Sequence, residues 1–430
     1  MPLTHVDIEF TKDGNVFDES QVQTALQAAS DCTDLIVISH GWNEDMASAQ
    51  QLYDAIFESV DAVLPQKAGL SGRKIGVIRV FWPSKAFADA DLIPGGSASL
   101  DTTTNDEALL KLLDELKRDP QRLGGTDTDP GRSAKIDAAK AVVDSLDDDA
   151  AKETFVNALR GILNPAAANA DDASDEFFQA DAVDLFKQFG KPVLAPPPLG
   201  AGGAAEVGGA TGLRDLFSGA TAAARRLANY VTYYQMKERA GLVGETGVQD
   251  VIRRLHNKAP ATRLHLVGHS FGGRLVTAAA LSVAPGIRIS SMTLLQAAYS
   301  HNGIAEDYDG RGNDGFFRAV ITDQRVTGPI VITYTKNDQA VGIAYPLASR
   351  VAFQKASALG DRNDPYGGLG RNGAQHTPEV DDSEAELLDS GHSYTFLAGH
   401  VYNLLGDNFI SGHSAITGQE VANALLDALK

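Results

Sequence analysis

A chain of 430 residues, 43% hydrophobic and 22% charged, holds ample apolar material for a buried core, which excludes a disordered or fibrous protein. Its formal net charge of −19, from 56 acidic against 37 basic side chains, argues against nucleic acid and anionic lipid surfaces as partners. One cysteine, Cys32, excludes an intrachain disulfide; MPLTHVDIEF lacks the basic and apolar regions of a secretory leader, and no apolar run reaches the ~20 residues that span a bilayer, so a cytoplasmic location is expected, with non-classical export left open.

His5 to Phe10 alternates like a first strand, and Gln21 to Ala29 sets Val22, Ala25, Leu26 and Ala29 at helical spacing. Leu35 to Ile38 is fully apolar, which suits the middle of a sheet, and runs into Ser39-His40-Gly41-Trp42-Asn43. A helix follows with Ala49, Leu52, Tyr53, Ile56, Val60 and Val63 on one face, and then a strand, Ile75 to Trp82, closed by Pro83.

From about Lys85 to Leu213 the strand pattern stops. Asp101 to Gly190 carries 20 acidic and 10 basic side chains, a net −10, and Asp147-Asp148-Asp149 reads as a solvated face. Phe178, Ala182, Leu185 and Phe189 fall on one face of a short helix that Gly190 ends, ahead of a Pro/Gly/Ala tract up to Gly212. Residues 86–212 are therefore expected to be an acidic, largely helical insertion within a single domain of residues 1–430. It would serve as a lid over an apolar pocket or as a static decoration packed on the main core.

Leu227, Tyr230, Val231 and Tyr234 then mark one helix, and Val248, Val251, Ile252 and Leu255 another, ended by Pro260. Leu264 to Val267 is an apolar run leading into Gly268-His269-Ser270-Phe271-Gly272 and a helix-like stretch, Arg274 to Val283. Strand, sharp turn and helix make the context in which G-x-S-x-G presents a nucleophilic serine. The glycines, with Gly273, remove Cβ atoms that would collide in so tight a turn, and the Phe271 N–H falls at a helix N-terminus where donors can meet an oxyanion. Ile287 to Leu295, Pro329 to Thr335 and His400 to Leu405 read as the remaining strands. Strands alternating with helices predict a parallel sheet covered on both faces, with ligands at the carboxyl ends of the strands.

These residues resemble the serine hydrolases of the α/β-hydrolase fold, of the bacterial lipase and esterase kind, over Thr4 to Lys85 and Leu213 to Lys430. The resemblance implies the chain order nucleophile, acid, histidine, with Ser270 first. The acid is implied just past the second strand after the elbow, where PIVITYT runs into Lys336-Asn337-Asp338; Asp338 is the candidate, Asp323 and Asp314 stand behind it, and a turn or helix-cap role is the structural alternative. The base is implied beyond the last strand. His413 lies there, before a terminal helix in which Thr417 and Glu420 read as a capping box and Val421, Leu425 and Leu429 as an apolar face. His392 is its rival, followed by His376 and His400. His40-Gly41-Trp42 resembles the family's HG-x turn, which would make the backbone N–H of Trp42 the partner of the Phe271 N–H in an oxyanion hole.

Two patterns are set aside. Gly368-Leu369-Gly370-Arg371-Asn372-Gly373 matches G-x-G-x-x-G but lacks a strand before it and a helix after it, so a dinucleotide site is not expected. Asp307-Tyr308-Asp309-Gly310 lacks the ligands of an EF-hand, which leaves only a calcium site of another kind open between Glu306 and Asp314; no His or Cys spacing fits zinc.

The expected activity is hydrolysis of a small-molecule or lipid-like carboxylic ester through an acyl-enzyme, with no cofactor. Tyr299, Phe316 and Phe317 are its expected pocket aromatics. A thioesterase, phospholipase, peptidase or polyester depolymerase would use the same triad, and a non-catalytic binding protein on a hydrolase fold is the alternative from another class.

Overall fold

Strands β1 (Thr4–Glu9), β2 (Asp34–Ser39), β3 (Ile75–Phe81), β4 (Arg263–His269), β5 (Ser291–Leu295), β6 (Ile330–Tyr334) and β7 (Val401–Leu405) form one sheet, all parallel, in the order β1-β3-β2-β4-β5-β6-β7. The computed structural model describes residues 3–42, 45–84, 105–168, 174–190, 219–338, 340–341 and 366–430. Each apolar run expected to be a strand is one. The exception in length is the run from Ile287, where pairing with β4 begins only at Ser291 and Ile289 makes a lone bridge to Val326.

Period-two alternation divides the strands between two cores. Leu35 and Val37 of β2 face one side with α1 (Glu19–Ala29), while Ile36 and Ile38 face the other with α2 (Met46–Val63). Asp18 caps α1 through the Ser20 amide, and Asp45 caps α2 in a capping box with Ser48.

The insertion after β3 is helical, with α3 (Asn105–Leu116), α4 (Pro130–Lys140), α5 (Asp149–Arg160), α6 (Ser174–Gln179) and α7 (Ala182–Phe189). The single helix expected over Phe178 to Phe189 is two, because the Asp181 carboxylate accepts from the Val183 and Asp184 amides and starts a new helix there. Nor do its phenylalanines pack on the main core. Phe155, Phe177, Leu185 and Phe189 join Leu227, Tyr230 and Val231 of α8 (Ala220–Leu242) in a third core of their own. The boundaries near residues 86 and 212 lie outside the described residues.

The two helices expected between the insertion and the elbow are one rod. A π turn, Val243–Val248, joins α8 directly to α9 (Gln249–Lys258), and a widened turn replaces the expected break. At Gly244 the rod crosses so close to the next helix, α10 (Phe271–Ser282), that a Cβ would overlap the Leu275 carbonyl oxygen. Three ionic contacts fasten the insertion: Asp119 accepts from Arg239 of α8 at 2.5 Å and pairs with Lys12 beyond β1, while Arg122 meets Glu9 of β1 at 2.7 Å.

Short helices α11 (Ala319–Thr322) and α12 (Leu369–Asn372) precede the terminal α13 (Gln419–Ala428). The expected capping box of α13 does not form: Gly418 is its N-cap, and no side chain caps it. No helix among the described residues is long and apolar enough to cross a membrane.

Candidate active site

The chain leaves β2 toward β3 and leaves β4 toward β5, on opposite sides, so a crevice opens between the carboxyl ends of β2 and β4. Register places Ser39 beside Gly268, which brings the turn after β2 against the turn after β4. A Cβ added to Gly41 would stand 2.6 Å from the Ser270 Cβ and 3.2 Å from its Oγ.

Ser270 sits between β4 and α10 with φ 54° and ψ −125°. A non-glycine residue there holds strain of roughly 1–3 kcal/mol, which the surroundings must offset. Its N–H donates to the Leu295 carbonyl at 3.1 Å, and its carbonyl accepts from Gly273 at 3.0 Å and Ala298 at 2.9 Å. Side chains are barred on either side, since a Cβ at Gly268 would overlap the Gly272 backbone and one at Gly272 the carbonyls of Ser39 and His40.

Ser270, Asp338 and His413 are brought together. His413 Nδ1 lies 2.8 Å from Asp338 Oδ2, and Nε2 lies 2.8 Å from Ser270 Oγ. With Nδ1 donating to the carboxylate, Nε2 offers its lone pair to the serine hydroxyl. Asp338 is fully buried, and its other oxygen accepts from the Val341 amide at 2.9 Å.

The loops bearing Asp338 and His413 are tied to each other. Asp407 Oδ1 accepts from Thr335 Oγ1 at 2.8 Å and from the Lys336 amide at 2.9 Å, and Asn337 Nδ2 donates to the carbonyls of Asp407 at 3.1 Å and Ile410 at 2.9 Å. Arg371 donates to the carbonyls of Lys336 and Asp338. This explains the glycine-rich stretch 368–373. Gly370 presses on Gln296 at the end of β5, where a Cβ would come within 2.5 Å of backbone, so the glycines seal the sheet end beside Asp338.

His40 is structural. Fully buried, its ring is pushed down to about 4 by desolvation and stays neutral, with Nδ1 donating to the Gly41 carbonyl at 2.9 Å and Nε2 accepting from the Trp82 amide at 3.3 Å. Those bonds hold the turn that presents Trp42, whose ring packs edge-on to Phe271 at 5.9 Å. Trp42 and Phe271 thus follow Gly41 and Ser270 in the two turns that meet here.

The expected pocket aromatics do not act together. Tyr299 and Phe317 are side chains of the main core, Tyr299 Oη lying 3.4 Å from Thr277 Oγ1, while Phe316 is exposed beside the Arg274 guanidinium. Apolar packing against α10 takes up the two rings that were expected to line a cavity. His392 pairs with Glu384 and His400 with Asp381, and His376 is exposed, all away from Ser270. Asp323 pairs with Arg325. Asp307, Asp309 and Asp314 accept from amides of their own loop, and the described residues hold no group of three His, Cys, Asp or Glu placed for a metal.

Two relationships escaped sequence reasoning. His269 Nε2 lies 3.0 Å from the His413 carbonyl oxygen, although the elbow pattern leaves its position free. At the amino ends of the strands, Ser291 Oγ lies 2.8 Å from His265 Nδ1, and His265 Nε2 lies 3.0 Å from Asp34 Oδ1. This second serine–histidine–aspartate chain is buried, and its serine lies in a pleated strand with no helix N-terminus behind it. Burial would raise the Asp34 carboxyl, but bonds from His265, Arg73, Thr33 and Arg263 outweigh it and hold the group well below the usual carboxylate range.

A family model described as the alpha/beta hydrolase fold matches residues 230–327, from the second half of α8 past the elbow. No curated protein and no solved structure matches the chain. That match and the seven-stranded parallel sheet flanked by helices make this an α/β-hydrolase fold.

Proposed function

We propose that the protein is a serine hydrolase that cleaves carboxylic esters through an acyl-enzyme. The observation that carries this reading is the continuous relay from Ser270 Oγ through His413 to Asp338, at 2.8 Å in each step, built on a strained elbow. His413 Nε2 takes the hydroxyl proton as Oγ attacks the ester carbonyl. The Asp338 carboxylate holds the ring in the competent tautomer and stabilises the imidazolium without taking the proton. The amides of Phe271 and Trp42 receive the oxyanion, each donor contributing on the order of 10²–10³ in turnover. His413 then protonates the leaving alcohol, and water repeats the cycle on the acyl-enzyme. The substrate is a small-molecule or lipid-like ester, and a cytoplasmic setting belongs to the same reading. The inserted helices act as a fixed cap, a reading supported by their fastening through Asp119 to Arg239 and Lys12.

The test is a fluorophosphonate probe followed by peptide mapping, together with p-nitrophenyl ester turnover. The label is expected on Ser270, and Ser270→Ala is expected to lose both label and turnover. Full turnover in that variant would end the proposal.

A further inference from the structure

His269 is the elbow side chain that the proposed chemistry leaves unused. Its ring is 3% exposed and lies 5.0 Å from the His413 ring at an interplanar angle of 38°. Nδ1 is buried without a partner among the described residues and would stand 3.2 Å from a Cβ added to Gly41, while Nε2 meets the His413 carbonyl at 3.0 Å. A carbonyl only accepts, so the proton of the neutral ring sits on Nε2.

We propose that His269 is a positioning residue for the base: as a neutral Nε2–H donor it holds the backbone of His413, so that one imidazole meets Ser270 and Asp338 together. The proposal rests on the triad reading above. Asp338 fixes the ring of His413 from its Nδ1 side, and the carbonyl bond fixes the peptide from which that ring hangs. Neutrality is part of the fit, because His413 becomes cationic in each half-reaction and a second cation beside it would oppose proton uptake. Burial first, and then the charge of His413, push His269 down to about 3; His40, at the end of β2, lowers it further, and the bond to the His413 carbonyl acts in the opposite sense.

The experiment compares wild type, H269Q and H269F by Ser270 labelling rate and by kcat and KM for a p-nitrophenyl ester across the pH range. A glutamine amide can place an N–H where Nε2–H stands; phenylalanine keeps the bulk and removes the donor. H269Q is expected within about threefold of wild type, and H269F to lose roughly ten- to hundredfold in kcat and labelling rate with KM little changed. The acid limb of the H269F pH profile moves down as the imidazole loosens from Asp338. Equal rates in H269F and wild type, or an equal loss in H269Q and H269F, would overturn the proposal while leaving the triad intact. Should H269F fail to fold, ¹⁵N-histidine spectra of the wild type decide: a His269 signal protonated at Nε2 alone and unchanged down to mildly acid pH supports the role, and an Nδ1 tautomer or ordinary titration removes it. A wild type that takes no label at Ser270 refutes the triad reading itself, and this proposal with it.

Discussion

Gly41 and Ser270 touch across the crevice so closely that a methyl group on the glycine would sit 2.6 Å from the serine Cβ. In the proposed chemistry the nucleophile and one oxyanion donor therefore belong to turns that define each other's position. Gly41→Ala is expected to lower kcat by roughly 10²-fold through misplacement of reacting atoms. The overpacking should also cost about 1–3 kcal/mol in stability, read from urea unfolding. Unchanged ester turnover would show that the two turns do not share the chemistry.

Asp338→Asn preserves size in a fully buried position but presents an amide where the imidazole needs a carboxylate. The histidine is then held in the wrong tautomer, and kcat should fall on the order of 10⁴ while folding persists. Steady-state turnover beside a thermal melt checks both halves, and a near-native kcat would move the acid elsewhere.

Stability should depend on pH through the buried histidines. His269 is held down to about 3 and His40 to about 4, each by burial first, so between those values and the ordinary 6.5 the unfolded chain binds protons that the folded chain refuses. Each group's contribution is complete above pH 6.5 and is lost as pH falls toward its folded value, at up to about 1.4 kcal/mol per pH unit. Guanidinium unfolding from pH 7 to 4.5 should therefore show a shallower slope in H269Q than in wild type by about one proton. Parallel slopes would mean that the ring is not held neutral.

Arg239 is buried, and its guanidinium bridges the insertion's Asp119 and the Pro83 carbonyl. Arg239→Ala leaves Asp119 with Lys12 as its other ionic partner and should destabilise the protein by roughly 3 kcal/mol. Thermal unfolding measures it, and a loss of only a few tenths would show that the insertion is not fastened there.

Much of this architecture is legible in the residues. Alternating or continuous apolar runs locate every strand, and Gly268, Gly272 and Ser270 locate the elbow, because tight turns admit few residue types. Less legible is whatever depends on which surfaces meet. Phe178 and Phe189 share a helical face in sequence, but Asp181 caps a new helix between them, and cap strength outweighs periodicity over so short a span. Tyr299 and Phe317 look like pocket linings by type, and only packing against α10 shows them to be core. His265 lies in the apolar strand run and His269 in the elbow, and neither position reveals its partner, Asp34 for the one and the His413 carbonyl for the other.

The uninterrupted rod from Ala220 to Lys258, on the order of 60 Å at 1.5 Å per residue, is shared property. Its leading half supplies Leu227, Tyr230 and Val231 to the insertion, and its trailing half supplies Val243, Val248 and Ile252 to the core shared with β4 and α10. Neither part can melt without unwinding a beam on which the other leans. Calorimetry should accordingly record one endotherm, with the insertion and the hydrolase body giving way at a common temperature.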